Sequence, residues 1–233
     1  MSSLQSSALP VLEARALEFT YPGGFRLGPV DLRLHAEEVV ALEGEPGAGK
    51  STLLKLLQGR LQPTGGVLLF RQEPLSLGRP NEQAAWRRCL GVLDQTVQLP
   101  AQRTARELVR LSLAVHGHGA RERRREAMRI LGETGLLTRA DQICGTLSTG
   151  QSRWVQLALA LCGLPDVMLL DEPLAHLSPD QQEAMLGVLK RQARRGTGVL
   201  FCRHGDAARD GDVRRLRLEQ GRVVEDAIRG ARP

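Results

Sequence analysis

Nine consecutive residues, Gly44-Glu45-Pro46-Gly47-Ala48-Gly49-Lys50-Ser51-Thr52, have the types and spacing of a loop that wraps phosphate. They fit Gly-x4-Gly-Lys-[Ser/Thr] throughout. The glycines let backbone N–H groups close on phosphate oxygens, and the N-terminus of a following helix adds positive potential. In such a loop Lys50 reaches the β- and γ-phosphates and Ser51 supplies a hydroxyl to Mg²⁺. Gly44, Gly47, Ala48, Gly49 and Thr52 complete the cradle. Pro46 withdraws one N–H, early enough in the loop for the geometry to tolerate it. Downstream, Val167-Met168-Leu169-Leu170-Asp171-Glu172 is an apolar run closed by two carboxylates. A buried strand there puts Asp171 at its tip, beside the phosphate loop, to orient Mg²⁺ and its waters. Glu172 then faces the water that attacks the γ-phosphorus and polarises it as a general base. Such a run is common by itself and gains its meaning from the loop upstream.

A third segment, Leu147-Ser148-Thr149-Gly150-Gln151, lies 23 residues before Asp171. With it the sequence resembles the ATP-binding subunits of ABC transporters, whose signature is Leu-Ser-Gly-Gly-Gln. The resemblance runs from about Val11 to Glu225, with the motifs in family order. It implies that Tyr21, the only tyrosine, stacks on adenine. It implies that Gln95 is the glutamine that senses Mg²⁺ and the transmembrane subunit. His204, 33 residues after Asp171, matches the switch histidine that contacts the γ-phosphate. A lone histidine after a strand is more often structural, and its register with the other motifs reverses that preference. The resemblance also implies that two chains pack head to tail on ATP. Ser148 and Gly150 of one then reach the γ-phosphate held by the other, with Gln151 in the same contacting segment. Two positions depart from the family pattern. Thr149 replaces a glycine, which is costly if that position needs φ > 0. Ser178 replaces an aspartate in Leu174-Ala175-His176-Leu177-Ser178. Ser178-Pro179-Asp180-Gln181 is nonetheless a capping box, so serine keeps the structural role without the charge.

Composition narrows the field. Apolar residues make up 42% of the 233 and charged ones 25%, an ordinary soluble balance that excludes a disordered tail or a disulfide-stapled miniature. The longest apolar run, Leu157 to Leu164, falls far short of the ~20 residues a membrane span needs. Met1 to Leu9 lacks the basic and apolar stretches of a secretory leader, and the Ser-rich start to Ser7 reads as frayed. The net charge is +6, yet of 32 basic residues only Lys50, Lys55 and Lys190 are lysine. So uniform a preference for arginine reads as base composition rather than a polyanion patch. Arg121 to Glu126 interleaves acids at helical spacing, as a solvated helix face does. Aromatic content of 3% argues against base-stacking platforms and hence against nucleic acid. The four scattered cysteines read as buried, reduced thiols. His116 and His118, alone in a glycine turn, read as loop rather than metal ligands.

The elements that must hold these groups alternate. Strands are expected at Val11 to Thr20, Val30 to His35, Val39 to Leu42, Val67 to Phe70, Leu90 to Leu93, Val167 to Leu170 and Gly198 to Cys202. A polar segment separates Phe70 from Leu90. A terminal hairpin turns at Gln220-Gly221 within Val213 to Val224. Helices follow Lys50, fill Thr104 to Glu133 with Leu108, Leu111 and Val115 on one side, run from Gly150 to about Cys162, and open at Pro179. The expected fold is α/β: a phosphate-loop core with a mostly parallel sheet, an N-terminal antiparallel β part and an inserted helical subdomain. The division is about 1–95 and 151–233 for the core, and about 96–150 for the helical insert bearing the signature. No appended regulatory domain is expected in a chain of this length.

The functional expectation is an ATP-hydrolysing subunit, with ATP and Mg²⁺ as cofactors. It pairs with a second copy or related subunit and drives a separate transmembrane protein, touching the membrane only through that partner at the cytoplasmic face. The docking surface is expected near Gln95 and Val97 to Arg110. Two alternatives stay open: a transporter-like ATPase that regulates a cell-division or cell-wall protein, and a nucleotide switch with very low turnover. A small-molecule kinase is disfavoured because such enzymes lack the Leu-Ser-x-Gly-Gln segment.

Overall fold

The computed structural model describes residues 9–95, 98–204 and 213–228. The expected fraying of Met1 to Ser7, the subdomain boundary at Thr96 and the docking residue Val97 lie outside the described residues. In chain order the first half holds β1 (Leu12–Thr20), β2 (Arg26–Leu34), β3 (Val39–Glu43), α1 (Lys50–Leu57), β4 (Gly65–Phe70), β5 (Glu73–Pro74), α2 (Pro80–Arg88) and β6 (Leu90–Leu93). The second half holds α3 (Ala105–Val115), α4 (Ala120–Glu133), α5 (Thr149–Ala160), β7 (Val167–Leu170), α6 (Pro179–Ala193), β8 (Gly198–Arg203), β9 (Arg214–Glu219) and β10 (Arg222–Ile228).

Two sheets result. One is antiparallel, in the order β2-β1-β4-β5. The other has the order β10-β9-β3-β8-β7-β6 and is parallel except at the terminal β9/β10 hairpin. The fold is therefore α/β with the mostly parallel sheet and antiparallel β part that the sequence patterning requires.

The parallel sheet is buried on both faces, so its strands read as unbroken apolar runs. The period of two divides them between two cores. Val39 and Ala41, Met168 and Leu170, Val199 and Phe201 face α3 to α6. Val40 and Leu42, Val167 and Leu169, Leu200 and Cys202 face α1 and the antiparallel sheet. The tips of β3, β7 and β8 all end at the same edge, since Glu43 pairs with Arg203 and Leu170 with Phe201. The phosphate loop, Asp171-Glu172 and His204 begin there, in the crevice beyond the carboxyl ends where parallel sheets bind ligands.

The segment expected to be merely polar between β4 and β6 contains α2. Its one buried side chain, Trp86, lies 2% exposed and donates from Nε1 to the Leu57 carbonyl at 2.9 Å. This bond caps the C-terminus of α1, which Gly59 closes in the left-handed region. The expected face of α3 is also corrected. Ala105, Leu108, Val109 and Leu113 form the buried stripe, whereas Leu111 and Val115 are 62% and 78% exposed. Spacing of i, i+3, i+4 and i+8 wins over the 108/111/115 set, because α4 and α5 pack on only one side. Cys144, Cys162 and Cys202 are buried free thiols, but Cys89 is half-exposed. His116 packs against Gly163 and His118 pairs with Glu122 at 3.1 Å, both as parts of a loop. Among the described residues no helix is long and apolar enough to cross a membrane.

Candidate functional site

The phosphate loop connects β3 to α1. Ala48 N–H donates to the Glu45 carbonyl at 3.1 Å, closing a turn with Pro46 second and Gly47 third. Gly47 has φ +83°, so the pair matches the type II pattern, in which proline is favoured at the first central position. Pro46 thus builds the loop rather than merely being tolerated. Gly49 closes it as the N-cap of α1, with φ +107°. A Cβ there would lie 3.0 Å from Phe25 Cζ and 3.1 Å from Leu27. Phe25 also flanks Tyr21, and Tyr21 meets Phe19 edge to face at 4.7 Å between centroids. The aromatic turn is therefore packed beside the phosphate loop. Thr52 follows on α1, half-buried, and Ala48 is buried.

Side chains from four distant segments meet at the tips of the parallel strands. Lys50 is 5% exposed, and its Nζ donates to the Gly44 carbonyl at 2.6 Å and the Glu45 carbonyl at 3.1 Å. It also lies 3.3 Å from His204 Nδ1. Lysine has only donors, so this contact uses the Nδ1 lone pair and leaves the imidazole proton on Nε2. That nitrogen contacts Glu172 Oε1, while Gln95 Nε2 donates to Glu172 Oε2 at 3.2 Å. Glu172 itself has φ +51°, a strained backbone for a glutamate. Such outliers persist where surrounding contacts over-determine them. Here two side chains grip the carboxylate.

Asp171 sits one residue earlier and is buried. Burial pushes its carboxyl above the usual aspartate range, a bond from Ser51 partly offsets this, and Glu172 and Asp94 add to the rise. Its Oδ1 is buried without a hydrogen-bond partner. An orphaned carboxylate oxygen next to a serine hydroxyl fits a hard, oxygen-seeking cation such as Mg²⁺.

The signature segment stands apart from this network. Ser148 is the N-cap of α5: its Oγ accepts from Gln151 N–H at 3.2 Å, and Ser148 N–H donates to Gln151 Oε1 at 2.9 Å. Thr149 is the first helical residue and takes no positive φ, so the expected cost of replacing glycine there does not arise. Gly150 does need its size, because a Cβ would lie 3.2 Å from both the His176 carbonyl and Leu177. Ser178 caps α6 as expected, accepting from Gln181 N–H at 3.4 Å, with Pro179 in the first turn.

Three charged residues here escaped the sequence reading. Arg153, 5% exposed on α5, has its charged form disfavoured by burial and supported by Glu172 and Asp171. Glu43 and Arg203 form a buried ion pair at the tips of β3 and β8, with Arg203 Nε donating to Glu43 Oε1 at 2.9 Å. No local pattern marks them, because each finds its partner across the sheet or between layers.

The family model for ABC transporters matches residues 27–175. The chain belongs to the ABC transporter family. It is an ATP-binding cassette of that family and an ATPase. It is 36% identical to a hemin import ATP-binding protein of Rhodopseudomonas palustris, over 92% of this chain and 81% of the relative. It is 29% identical to a cell division ATP-binding protein of Bacillus subtilis, over 94% of this chain and 97% of the relative. Among solved structures, an ATP-binding cassette captured as a dimer in a post-hydrolysis state with ADP and Pi superposes with a TM-score of 0.83. That match has 28% identity and covers 94% of this chain and 100% of the other.

Proposed function

We propose that this cassette hydrolyses ATP between two head-to-tail copies and thereby drives a separate transmembrane subunit at the cytoplasmic membrane face. The observation that carries the reading is the connected set Lys50–His204–Glu172–Gln95, which links a phosphate-loop lysine beyond β3 to a carboxylate beyond β7, through the histidine after the β8 strand between them. In it Lys50 binds the β- and γ-phosphates, and Glu172 takes the proton of the attacking water. His204 orients Glu172 and meets the γ-phosphate, while Gln95 holds the other carboxylate oxygen. Asp171 and Ser51 are the residues to hold Mg²⁺, whose chemistry would be to neutralise charge on the β- and γ-oxygens. Tyr21 supports the adenine. Ser148, Gly150 and Gln151 serve the partner copy's nucleotide. The working division is a core of about 1–95 and 151–233, with a helical subdomain of about 96–150.

Docking of the membrane subunit fits the groove of about 370 Å³ beside α3, lined by Arg103, Glu107, Leu108, Arg110, Leu111 and Arg123. The exposed Leu111 supplies apolar area there, and Val115 is exposed further along the same helix. This refines the Val97 to Arg110 expectation toward the outer face of α3.

The deciding experiment pairs ATP hydrolysis by Glu172→Gln with a tagged pull-down from detergent-solubilised membranes. Loss of turnover with ATP binding retained supports the base assignment, and unchanged turnover removes it. A stoichiometric polytopic partner supports transport. A partner with few spans and a large extracytoplasmic domain supports the regulatory alternative, which the similarity to a cell division protein over 94% of the chain brings in beside transport.

A further inference from the structure

We propose that Arg203 and Glu43 are a positioning pair for the hydrolytic site, fixing where the His204 imidazole stands relative to Lys50 and Glu172. The proposal rests on the reading of His204 as a γ-phosphate contact.

Glu43 and Arg203 are the last residues of two adjacent parallel strands and are register partners. The next residue in each chain direction is a working one: Gly44 after Glu43, His204 after Arg203. Arg203 Nε donates to Glu43 Oε1 at 2.9 Å, and a second guanidinium nitrogen contacts the same oxygen. Arg203 is only 5% exposed, and the Glu43 side chain 13%. From the far side of β3, Arg215 Nε approaches the same carboxylate at 3.7 Å.

These contacts close a ring. Glu43 is bonded to Gly44, whose carbonyl accepts from Lys50 at 2.6 Å; Lys50 meets His204 Nδ1 at 3.3 Å; His204 is bonded to Arg203, and Arg203 returns to Glu43. Two covalent steps, two hydrogen bonds and one ion pair therefore fix the separation between the phosphate loop and the histidine. A buried ion pair is a poor source of net stability, because desolvating two charges offsets most of their attraction. What it supplies is geometry, since the planar guanidinium fork constrains both distance and orientation at the two strand tips.

The test compares Arg203→Met and Arg203→Lys with the unaltered full chain. Methionine keeps most of the arginine stem and leaves Glu43 beside Arg215, so the carboxylate retains a counter-ion. Two readouts are taken: steady-state hydrolysis of MgATP, and the ¹⁵N resonances of the histidine rings, assigned to His204 by comparison with His204→Ala. In Arg203→Met, kcat falls about tenfold with KM for MgATP within about twofold, the size expected from a small misplacement of a catalytic group. The His204 ring moves from the Nε2–H form toward a mixture of tautomers. Arg203→Lys, which keeps the charge but not the fork, recovers part of both. The proposal is overturned by a kcat within about twofold of the parent. It is equally overturned by a fall in kcat with unmoved His204 resonances and a lowered Tm, which would mean stability alone. If Arg203→Met does not fold, Arg203→Lys decides by the same two readouts. Full activity in His204→Ala would remove the reading of the histidine itself, and the ring resonances of Arg203→Met would still decide the positioning.

Discussion

The phosphate loop and the Ser148 segment of this chain are built on opposite plans. Around Lys50, contacts join residues as distant in sequence as Lys50 and His204, and each working side chain touches another. Around Ser148, the side-chain hydrogen bonds stay within three residues, as a helix cap, while Gly150 behind it packs against His176 and Leu177. The first plan is a side-chain network that depends on the strand order of the sheet. The second is a helix end with a local cap, which another molecule could meet without breaking the cap's own hydrogen bonds. The proposed head-to-tail pair of copies needs one of each.

The comparison breaks most visibly at Glu172. Glu172→Gln is expected to lower kcat by about 10²–10⁴, the usual worth of a general base, with ATP affinity retained; single-turnover hydrolysis and nucleotide titration measure both. Next comes complementation. Lys50→Ala and Ser148→Ala should each be inactive, yet their mixture should regain turnover, because one mixed pair assembles one complete site. A mixture no better than its components would mean that both regions of one copy serve that copy's own nucleotide. Within the tip, Ser148→Ala should also lower stability by about 1 kcal/mol through loss of the cap, read from the denaturant midpoint.

The smallest effect lies far from either region. Glu133 on α4 receives Arg195 of the α6 C-terminus at 2.9 and 3.0 Å and Arg129 at 2.8 Å. Burial pushes its carboxyl up, but Arg195 and Arg129 outweigh that and hold it below the usual glutamate range. A lowered carboxylate adds stability above its unfolded value that is lost as pH falls through the folded one. Glu133→Gln should therefore cost about 1 kcal/mol or less at pH 7, the arginines being partly exposed, and flatten the acid side of the stability profile. Turnover at pH 7 should hold steady, since the contact joins helices away from the strand tips.

The phosphate loop, the Asp171-Glu172 strand and the capping box at Ser178 were legible in the sequence because each is a local device with fixed spacing; the same box at Ser148 went unread behind the signature it belongs to. The strands were legible because a sheet buried on both faces leaves unbroken apolar runs. α2 was not, since it buries only Trp86 and presents otherwise polar residues. Leu111 and Val115 misled, since helical spacing shows which residues share a face and not whether anything covers it. Thr149 looked costly only while its backbone was unknown; as the first helical residue it needs no left-handed turn. Glu43, Arg203 and Arg153 were invisible for the opposite reason: a charge in a strand or helix acquires meaning only from a neighbour brought by the fold.

The cap at Ser148 carries one further consequence. Its oxygen receives the Gln151 N–H through a lone pair, so the hydroxyl hydrogen remains available for an acceptor beyond the helix. Aspartate could cap equally well but would have no hydrogen to offer and would repel a phosphate. Asparagine would offer its amide from a different position. The tip thus tolerates serine or threonine on chemical grounds, and meeting a nucleotide there would cost the helix none of its own bonds.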